Sequence, residues 1–390
     1  MIHRSTRIAI LVSPAHGFGR ELIQGIIAFA RTQPNWSVRR ETPSVEVVPW
    51  LRKWKPHGLI THVESIRLLR SLRTLDAEWL DLTRHSETLA PPAVWQDDAQ
   101  VGRLVAEYFH SNGYREYAFV GYRQHQYSVD RQQGFANLVA SKGGNCHLML
   151  RHEMQSRPTP RRDWTTEQRL LSHWLLSLPK PVGLMACHDA LGAEIVEVCE
   201  QSGIEVPEQV AVVGVEDDDL ICYTTHPNLS SVRMPNESIG WHAARYMERK
   251  LAGKKPRPIV LPPIGVVTRG SSDRVASSDP VVAKALTYMR EHIDKPYRVE
   301  SVLEHVQVSQ SLLERRFRAA LGRTPLTEIR RLRTERAKLL LAETQLPMTQ
   351  IARLCGFNST VRFSTVFREL AGRTPSAYRQ SLSPATLPTA

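Results

Sequence analysis

Short apolar runs alternate with amphipathic segments over the first 275 residues of the chain. The apolar runs have the length of β-strands, and the segments between them carry apolar residues at i, i+3 or i+4 spacing, which predicts helices. The predicted strands are Ile8–Val12, Leu59–Val63, Tyr117–Val120, Val182–Ala186 and Val210–Val215. The predicted helices are Arg20–Arg31, Val101–Asn112, Gln132–Ser141, Glu167–Leu178, Leu191–Ser202 and Ser238–Leu251. Such alternation predicts parallel sheets with helices on both faces.

The pattern changes after this region. Small and polar residues between Arg269 and Pro280 are typical of a linker. Beyond them the β-type runs stop, and Val281 to Gln380 predicts helices joined by short turns. We therefore predict an α/β domain over residues 1–275, a linker over residues 276–283 and an all-α domain over residues 284–385.

An internal repeat with an offset of 50 residues marks the all-α region. Ser309, Phe317-Arg318 and Gly322-Arg323-Thr324-Pro325 recur as Ser359, Phe367-Arg368 and Gly372-Arg373-Thr374-Pro375. Each copy predicts a helix, a tight turn and a second helix, with the serine capping the second helix. This arrangement is a helix-turn-helix unit. The alternative is that the two copies are ordinary helical hairpins, which recur in all-α domains.

The first unit consists of Val299–His305 and Ser309–Leu321. In the second unit Met348–Leu354 precedes a turn where Gly356 can adopt positive φ, and a helix then begins at Ser359 with Leu370 on its inner face. The helix Thr327–Ala342, which carries Arg330, Arg331, Arg333, Arg336 and Lys338, would hold the two units in a fixed relation. The outward residues of the second helices are candidates for contacts with DNA: Gln310, Ser311, Glu314 and Arg315, then Asn358, Ser359, Thr360, Arg362 and Thr365.

The charge distribution agrees with a polyanionic partner. Residues 279–390 carry 18 Lys and Arg against 10 Asp and Glu, whereas residues 1–278 carry 33 against 29. Two-thirds of the excess positive charge therefore lies in the last third of the chain, as in proteins that bind nucleic acid. A well-solvated basic surface is the alternative.

Composition excludes other classes of protein. The chain is 42% hydrophobic and 23% charged, which is typical of a globular protein. It contains no apolar run of about 18 residues and no signal-peptide pattern, so we expect a cytoplasmic protein that does not span a membrane. Five cysteines without a CxxC pair, and histidines without zinc spacing, predict no metal site.

A dinucleotide-binding enzyme is the competing interpretation. Gly17-Phe18-Gly19 follows a strand and opens a helix, and Glu41 lies downstream as an acidic residue would in such a fingerprint. Leu22, however, occupies the position of the third glycine. We therefore expect no enzymatic activity and no cofactor.

The all-α region resembles the DNA-binding domain of the AraC family. The residues that carry the resemblance are Ile351-Ala352, Cys355-Gly356-Phe357, Phe363, Val366-Phe367-Arg368, Gly372-Arg373-Thr374-Pro375-Ser376 and Tyr378-Arg379. The resemblance extends from about Val281 to Gln380 and implies binding to double-stranded DNA. Thr365 departs from the family, which usually carries arginine at this position.

Residues 7–275 resemble the periplasmic-binding-protein-like sensor of LacI-type repressors, without the N-terminal DNA-binding headpiece. The residues that carry the resemblance are Asp97, Gly102, Gly113-Tyr114-Arg115, Arg131-Gln132-Gln133-Gly134-Phe135, His188-Asp189-Ala190, Gly203-Ile204-Glu205-Val206-Pro207, Pro227-Asn228-Leu229-Ser230-Ser231-Val232 and Val267-Thr268-Arg269. The resemblance implies a two-lobed α/β domain that binds a sugar. Family members more often have Asp-Asp or Asp-Asn where this sequence has Glu216-Asp217.

In such a domain a ligand binds between the lobes, at the carboxyl ends of the strands. The candidates at strand ends are His16, Phe18, Arg131, Asp189, Glu216 and Asp217. The resemblance implies that Arg131, Asp189 and one of Glu216 and Asp217 bind the sugar hydroxyls. Helix capping by Asp189 and Asp217, and a surface ion pair of Arg131, are the alternatives.

The combined resemblance implies a sugar-responsive transcription activator, with a monosaccharide such as xylose as its effector. We expect a homodimer that engages paired half-sites near a promoter when the lobes close on the sugar, together with contact with RNA polymerase. A purine or a polyol is the alternative effector.

Overall fold

Two α/β lobes and a helical domain make up the chain in the computed structural model. The structure describes residues 5–63, 65–83, 93–151 and 162–382, with side chains omitted from 162 to 165. Residues 1–4 and 383–385, at the outer ends of the two predicted domains, lie outside this range. No helix within the described ranges is long and apolar enough to cross a membrane.

The first lobe contains a four-stranded parallel sheet. Its elements, in chain order, are β1 (Thr6–Leu11), α1 (Gly17–Ala30), β2 (Trp36–Glu41), α2 (Val48–Trp54), β3 (Gly58–Thr61), α3 (Ile66–Leu72) and β4 (Glu78–Asp81). The strand order is β2-β1-β3-β4. The sheet buries Ile8 and Ile10 against α1 on one face, and Ala9 and Leu11 against α2 and α3 on the other. Alternate residues of one apolar strand thus serve two cores, as in buried parallel sheets.

The second lobe contains a six-stranded sheet. The elements that follow β4 are β5 (Val94–Gln96), α4 (Asp98–Ser111), β6 (Glu116–Tyr122), α5 (Gln126–Ser141), β7 (Asn145–Arg151), α6 (Arg162–Ser177), β8 (Val182–Ala186), α7 (Asp189–Gln201), β9 (Val210–Glu216), α8 (Asp219–Cys222), β10 (Ser230–Arg233), α9 (Asn236–Leu251), β11 (Ile259–Leu261) and β12 (Gly265–Val267). The strand order is β12-β10-β9-β8-β6-β7, and β5 pairs with β11. The chain returns to the first lobe in α9, which packs along α1. The predicted two-lobed α/β fold is confirmed.

The helical domain consists of two units that share one long helix. Its elements are α10 (Pro280–Glu291), α11 (Val299–Val306), α12 (Gln310–Leu321), α13 (Pro325–Glu343), α14 (Met348–Leu354), α15 (Thr360–Ala371) and α16 (Pro375–Leu382). One core lies between α10, α11, α12 and the start of α13, and a second core joins the end of α13 to α14, α15 and α16. The 50-residue repeat includes the residues that begin and end the second helix of each unit. Ser309 and Ser359 cap the N-termini of α12 and α15. Gly322 and Gly372 end the same helices with positive φ.

The segment between the sensor and the helical domain is more ordered than its composition predicts. The predicted linker reaches residue 283, but α10 already begins at Pro280, because Asp279 accepts hydrogen bonds from the backbone N–H groups of Val281 and Val282. The N–H of Ala276 donates to the carbonyl of Asn112 at the end of α4. The linker is therefore fixed to the second lobe and is shorter than predicted.

Charged contacts attach the first helix-turn-helix unit to the second lobe. Arg323, in the turn between α12 and α13, pairs with Glu107 of α4 at 2.9 Å and with the buried Glu328 at 2.7 Å. Arg331 also pairs with Glu328, at 2.7 Å. Burial raises the pKa of Glu328, but the guanidinium groups of Arg331, Arg323 and Arg290 outweigh this effect and leave the pKa below its usual value.

Candidate functional site

Strand order brings three of the predicted ligand-binding side chains together. Arg131 follows β6, Asp189 follows β8 and Glu216 ends β9, and these strands are neighbours in the sheet. Because parallel strands present their carboxyl ends at one edge, Glu216 lies within electrostatic range of both Arg131 and Asp189. The structure therefore groups Arg131, Asp189 and Glu216 at one edge of the sheet.

Arg131 is buried, so the alternative of a surface ion pair is wrong. Its side chain is 1% exposed. The Nε atom donates to Asp98 Oδ1 at 2.8 Å, Nη1 donates to the carbonyl of Cys187, and the guanidinium lies 5.0 Å from the ring centroid of Tyr127. Such contacts fix the direction of the guanidinium before a ligand binds.

Asp189 is an internal hydrogen-bond acceptor. Its Oδ1 accepts from Ser231 Oγ at 2.5 Å, and its Oδ2 accepts from the backbone N–H of Asp218 at 2.9 Å. Burial, reinforced by the charge of Glu216, raises the pKa of Asp189 well above its ordinary value. The N-cap of α7 is His188, not Asp189. Burial and the charge of Arg131 lower the pKa of His188 to about 3, in agreement with its neutral capping role.

Asp217 lies beside the cleft in two ion pairs. Its carboxylate contacts Arg233 Nε at 2.5 Å and Arg269 Nη1 at 2.7 Å. Asp218, not Asp217, caps α8. The alternative that Asp189 and Asp217 are helix caps is therefore wrong for both residues. Glu216 and Asp217 have φ values of 114° and 56°. Consecutive left-handed residues that are not glycine carry backbone strain, which clusters at functional sites.

Asp218 joins the two lobes, a role that the sequence did not suggest. Its Oδ2 accepts from the backbone N–H of Gly17 at 2.6 Å, and its Oδ1 contacts Arg20 Nη2 at 2.8 Å. The start of α1 therefore holds a carboxylate of the other lobe, at the place where a dinucleotide fingerprint would hold a phosphate. A helix N-terminus favours such a negative charge.

Pairs of aromatic rings follow the strand ends in both lobes. On the first lobe Phe18 meets His62 edge-on, with ring centroids 4.9 Å apart. On the second lobe the rings of Tyr122 and His188 stack at 5.7 Å, and those of His125 and Tyr127 stack at 5.3 Å. His16 precedes α1 as an exposed residue, and its side chain makes no capping hydrogen bond. Tyr122 and His188 could have been found from the sequence, because each lies two residues after the end of a predicted strand.

The recognition helices α12 and α15 present most of the predicted contact residues to solvent. Gln310, Ser311, Arg315, Asn358, Ser359 and Arg362 are exposed, and Glu314, Thr360 and Thr365 are partly exposed. Glu314 accepts from Gln310 Nε2 at 3.0 Å, Ser359 Oγ is used in capping, and Thr365 Oγ1 donates to the carbonyl of Val361 at 3.1 Å.

One expectation about the helical domain needs correction. Leu370 is 45% exposed and does not lie on the inner face of α15. Several basic residues of α13 serve internal contacts, since Arg331 binds Glu328, Lys338 binds Glu335, and Arg333 stacks on Tyr297. The predicted positive φ of Gly356 is confirmed, at 69°.

Two domain families match the chain. A periplasmic binding protein-like domain matches residues 106–272, and a helix-turn-helix domain matches residues 302–381. The arabinose operon regulatory protein of Escherichia coli is 36% identical over 99 residues, which span 25% of this chain and 34% of that protein.

Several relatives match over nearly the whole chain. The xylose operon regulatory proteins of Escherichia coli K12 and Haemophilus influenzae are 28% and 27% identical, each over 97% of this chain and over 98% and 99% of their own lengths. A solved structure of a xylose-binding transcription activator has a TM-score of 0.60 and 27% identity, over 97% of this chain and 99% of its own. A CelR–cellobiose complex, at 20% identity and a TM-score of 0.56 over 69% and 85% of the two chains, shares the fold of the sensor.

The fold and these matches define a DNA-binding transcription regulator in which a periplasmic-binding-protein-like sensor precedes an AraC-type helix-turn-helix domain. The chain is similar to the xylose operon regulatory proteins along nearly its whole length.

Proposed function

We propose that the chain activates sugar-catabolism genes and is controlled by a monosaccharide, such as xylose, bound between its lobes. The observation that carries the proposal is the combination of Arg131, Asp189 and Glu216 with the aromatic rings of the cleft. Charged groups bind sugar hydroxyls in pairs, and aromatic faces cover the apolar side of a sugar ring. The names of the full-length relatives agree with this assignment.

The DNA side of the proposal rests on the exposed residues of α12 and α15. Gln310, Ser311 and Arg315 on α12, Arg362 on α15, and Asn358 in the turn before α15 are exposed polar groups suited to base edges and phosphates. We assign the same role to Glu314, Ser359, Thr360 and Thr365, as the sequence predicts. Paired half-sites favour a homodimer, and activation requires contact with RNA polymerase.

A ligand panel tests the identity of the effector. Binding to the native state alone raises its stability by about 2.7 kcal/mol at a ligand concentration of 100 times Kd. We expect a pentose or hexose, xylose first, to raise the melting temperature of the full chain by several degrees. Adenine and sorbitol are the matched non-sugar ligands. If adenine raised the melting temperature and no sugar did, the effector would be a planar base instead of a sugar. The stacked rings of Tyr122 and His188 also suit a planar base.

A chain of polar contacts connects the cleft with the DNA-binding domain. Asp217 binds Arg233 at the end of β10, and Arg233 Nη2 lies 3.5 Å from Oε1 of Glu343, the last residue of α13. The carbonyl of Arg233 accepts from the N–H of Ile264, which is buried in the core of the second helix-turn-helix unit. A sugar that moves the end of β9 would therefore change the position of α13. Arg233 transmits the response in this proposal.

Glu343→Gln should reduce the response to sugar without preventing sugar binding. The pair is partly exposed, so its loss should cost at most about 1 kcal/mol and lower the sugar-induced change in DNA affinity about two- to fivefold. Fluorescence anisotropy with and without sugar measures this change, and calorimetry measures the sugar affinity. Glu304→Gln removes the same charge from an exposed glutamate of the same domain that has no ion pair in the described part of the chain. Equal responses of Glu343→Gln and the wild type would contradict the role of Arg233.

A further inference from the structure

A basic pocket lies on the first lobe, where α9 ends and the chain returns to β11. Its volume is about 150 Å³. The residues that line it are His242, Arg245, Tyr246, Arg249, Pro256, Arg257 and Ile259. It belongs to neither the interlobe cleft nor the recognition helices, so neither of these sites accounts for it.

The excess positive charge of the sensor is concentrated at this pocket. Residues 242–257 carry six Lys and Arg and one Glu, a net charge of +5. The other residues of the segment 1–278 carry 27 Lys and Arg against 28 Asp and Glu, a net charge of −1. The sensor is therefore almost neutral except at this segment, and a local positive charge of this size attracts a polyanion.

The cations of the pocket have no acidic partners within the described ranges. Arg245, Arg249 and Arg257 are exposed, and the structure gives none of them an ion pair, whereas Lys250 pairs with Glu78 at 2.7 Å. Arg245 and Arg249 lie one helical turn apart, where like charges repel. His242 contributes a buried Nδ1 atom without a hydrogen-bond partner among the described residues. An anion in the pocket would relieve the repulsion and supply an acceptor.

The helix that carries the pocket also contacts the DNA-binding domain. Ser238, in the first turn of α9, donates a hydrogen bond to the carbonyl of Leu382 at the end of α16. Arg245 and Arg249 follow Ser238 by seven and eleven residues, which is about 10 and 17 Å along a helix. One turn of duplex DNA spans about 34 Å. One additional turn of a duplex held by the second helix-turn-helix unit is therefore longer than the distance along α9 from Ser238 to Arg249.

We propose that the basic pocket binds the phosphate backbone of DNA that flanks the half-site held by the second helix-turn-helix unit. Arg245, Arg249 and Arg257 supply the charge, and the hydroxyl of Tyr246 and the ring of His242 supply hydrogen bonds. The sensor thereby becomes part of the DNA-binding surface, and it favours long duplexes without reading their sequence. The inference rests on the DNA binding already assigned to α12 and α15.

The test compares two duplexes of different length. Both carry a sequence selected with the wild-type full chain from a random library, and one is extended by about two helical turns on each side. The variant Arg245→Gln/Arg249→Gln/Arg257→Gln should bind the extended duplex at least about tenfold more weakly than the wild type, and its salt slope should be smaller by about two to three. Its affinity for the short duplex should stay within about twofold of the wild type.

A second triple variant controls for net charge. Arg39, Arg40 and Arg123 are exposed arginines elsewhere on the sensor, and Arg39→Gln/Arg40→Gln/Arg123→Gln removes the same charge. If the two triple variants lost the same affinity for the extended duplex, the pocket would not be a DNA contact. The same conclusion would follow if the pocket variant lost equal affinity for the short and the extended duplex. Binding of inorganic phosphate at the pocket without any effect of duplex length would assign it to a small anion instead. Failure of the wild type to select any sequence would overturn the assigned DNA binding itself.

Discussion

Asp189→Asn should weaken binding of the sugar effector by about ten- to a hundredfold, the loss expected when a buried hydrogen-bonding carboxyl group is replaced. The two hydrogen bonds reach different carboxylate oxygens, and asparagine replaces one of these oxygens by an NH2 group, which cannot accept from Ser231 Oγ or from the N–H of Asp218. Calorimetric titration with the sugar that stabilises the wild type measures the loss. Asp76→Asn, an exposed aspartate of the first lobe, is the matched control.

The stability of the same variant provides a second readout. The pKa of Asp189 is raised in the folded state, so its carboxyl binds more protons there than in the unfolded chain. The stability of the wild type therefore falls as pH rises from the unfolded pKa towards the folded one. Asparagine does not titrate and therefore does not lose stability in this way. Without sugar, the melting temperature of the variant should rise relative to that of the wild type as pH increases. If the variant is folded and binds sugar as tightly as the wild type, Asp189 is not part of the ligand site.

Arg315→Gln/Arg362→Gln should lower operator affinity by about a hundredfold, because each lost contact between arginine and a base or phosphate is worth about 1–3 kcal/mol. Both side chains are exposed on the recognition helices, one on each unit. The affinity for unrelated DNA should fall much less, so the ratio of specific to non-specific binding decreases. Anisotropy titrations with operator and with random duplex give both quantities.

The 50-residue repeat offers a matched control for this variant. Arg318 and Arg368 are exposed arginines at equivalent positions in the last turns of α12 and α15. Arg318→Gln/Arg368→Gln removes the same charge from the same helices. If both double variants lost operator affinity equally, the effect would be one of net charge, and readout by Arg315 and Arg362 would be wrong.

The sequence predicts the elements whose burial leaves a clear pattern. β8 has its predicted bounds, Val182–Ala186, because every residue of the strand is buried and apolar. Two edge strands have no predicted counterpart, namely β2, Trp36–Glu41, and β7, Asn145–Arg151. Edge strands are only half covered, and their polar residues interrupt the apolar run. The helical repeat is visible in the sequence because its capping residues recur with the same spacing.

The candidate site is only partly visible in the sequence. Arg131, Asp189 and Glu216 could be grouped because strand ends meet at one edge of a parallel sheet. The interlobe role of Asp218 and the ion pairs of Arg233 depend on how separate lobes and domains pack, and no local pattern encodes such contacts. Asp217 is a sugar-binding candidate by its position at the end of a strand and by the family resemblance, and its two arginine partners make it part of the connection to α13.

The central claim is that a sugar in the cleft controls the affinity of the helix-turn-helix units for DNA. Measuring operator affinity of the wild-type full chain across a sugar titration tests it most directly. We predict a change of at least about fivefold, the lower end of the usual allosteric range, with a midpoint equal to the sugar Kd measured by calorimetry after correction for linkage. An operator affinity that stays the same at saturation with a sugar that binds would contradict the account.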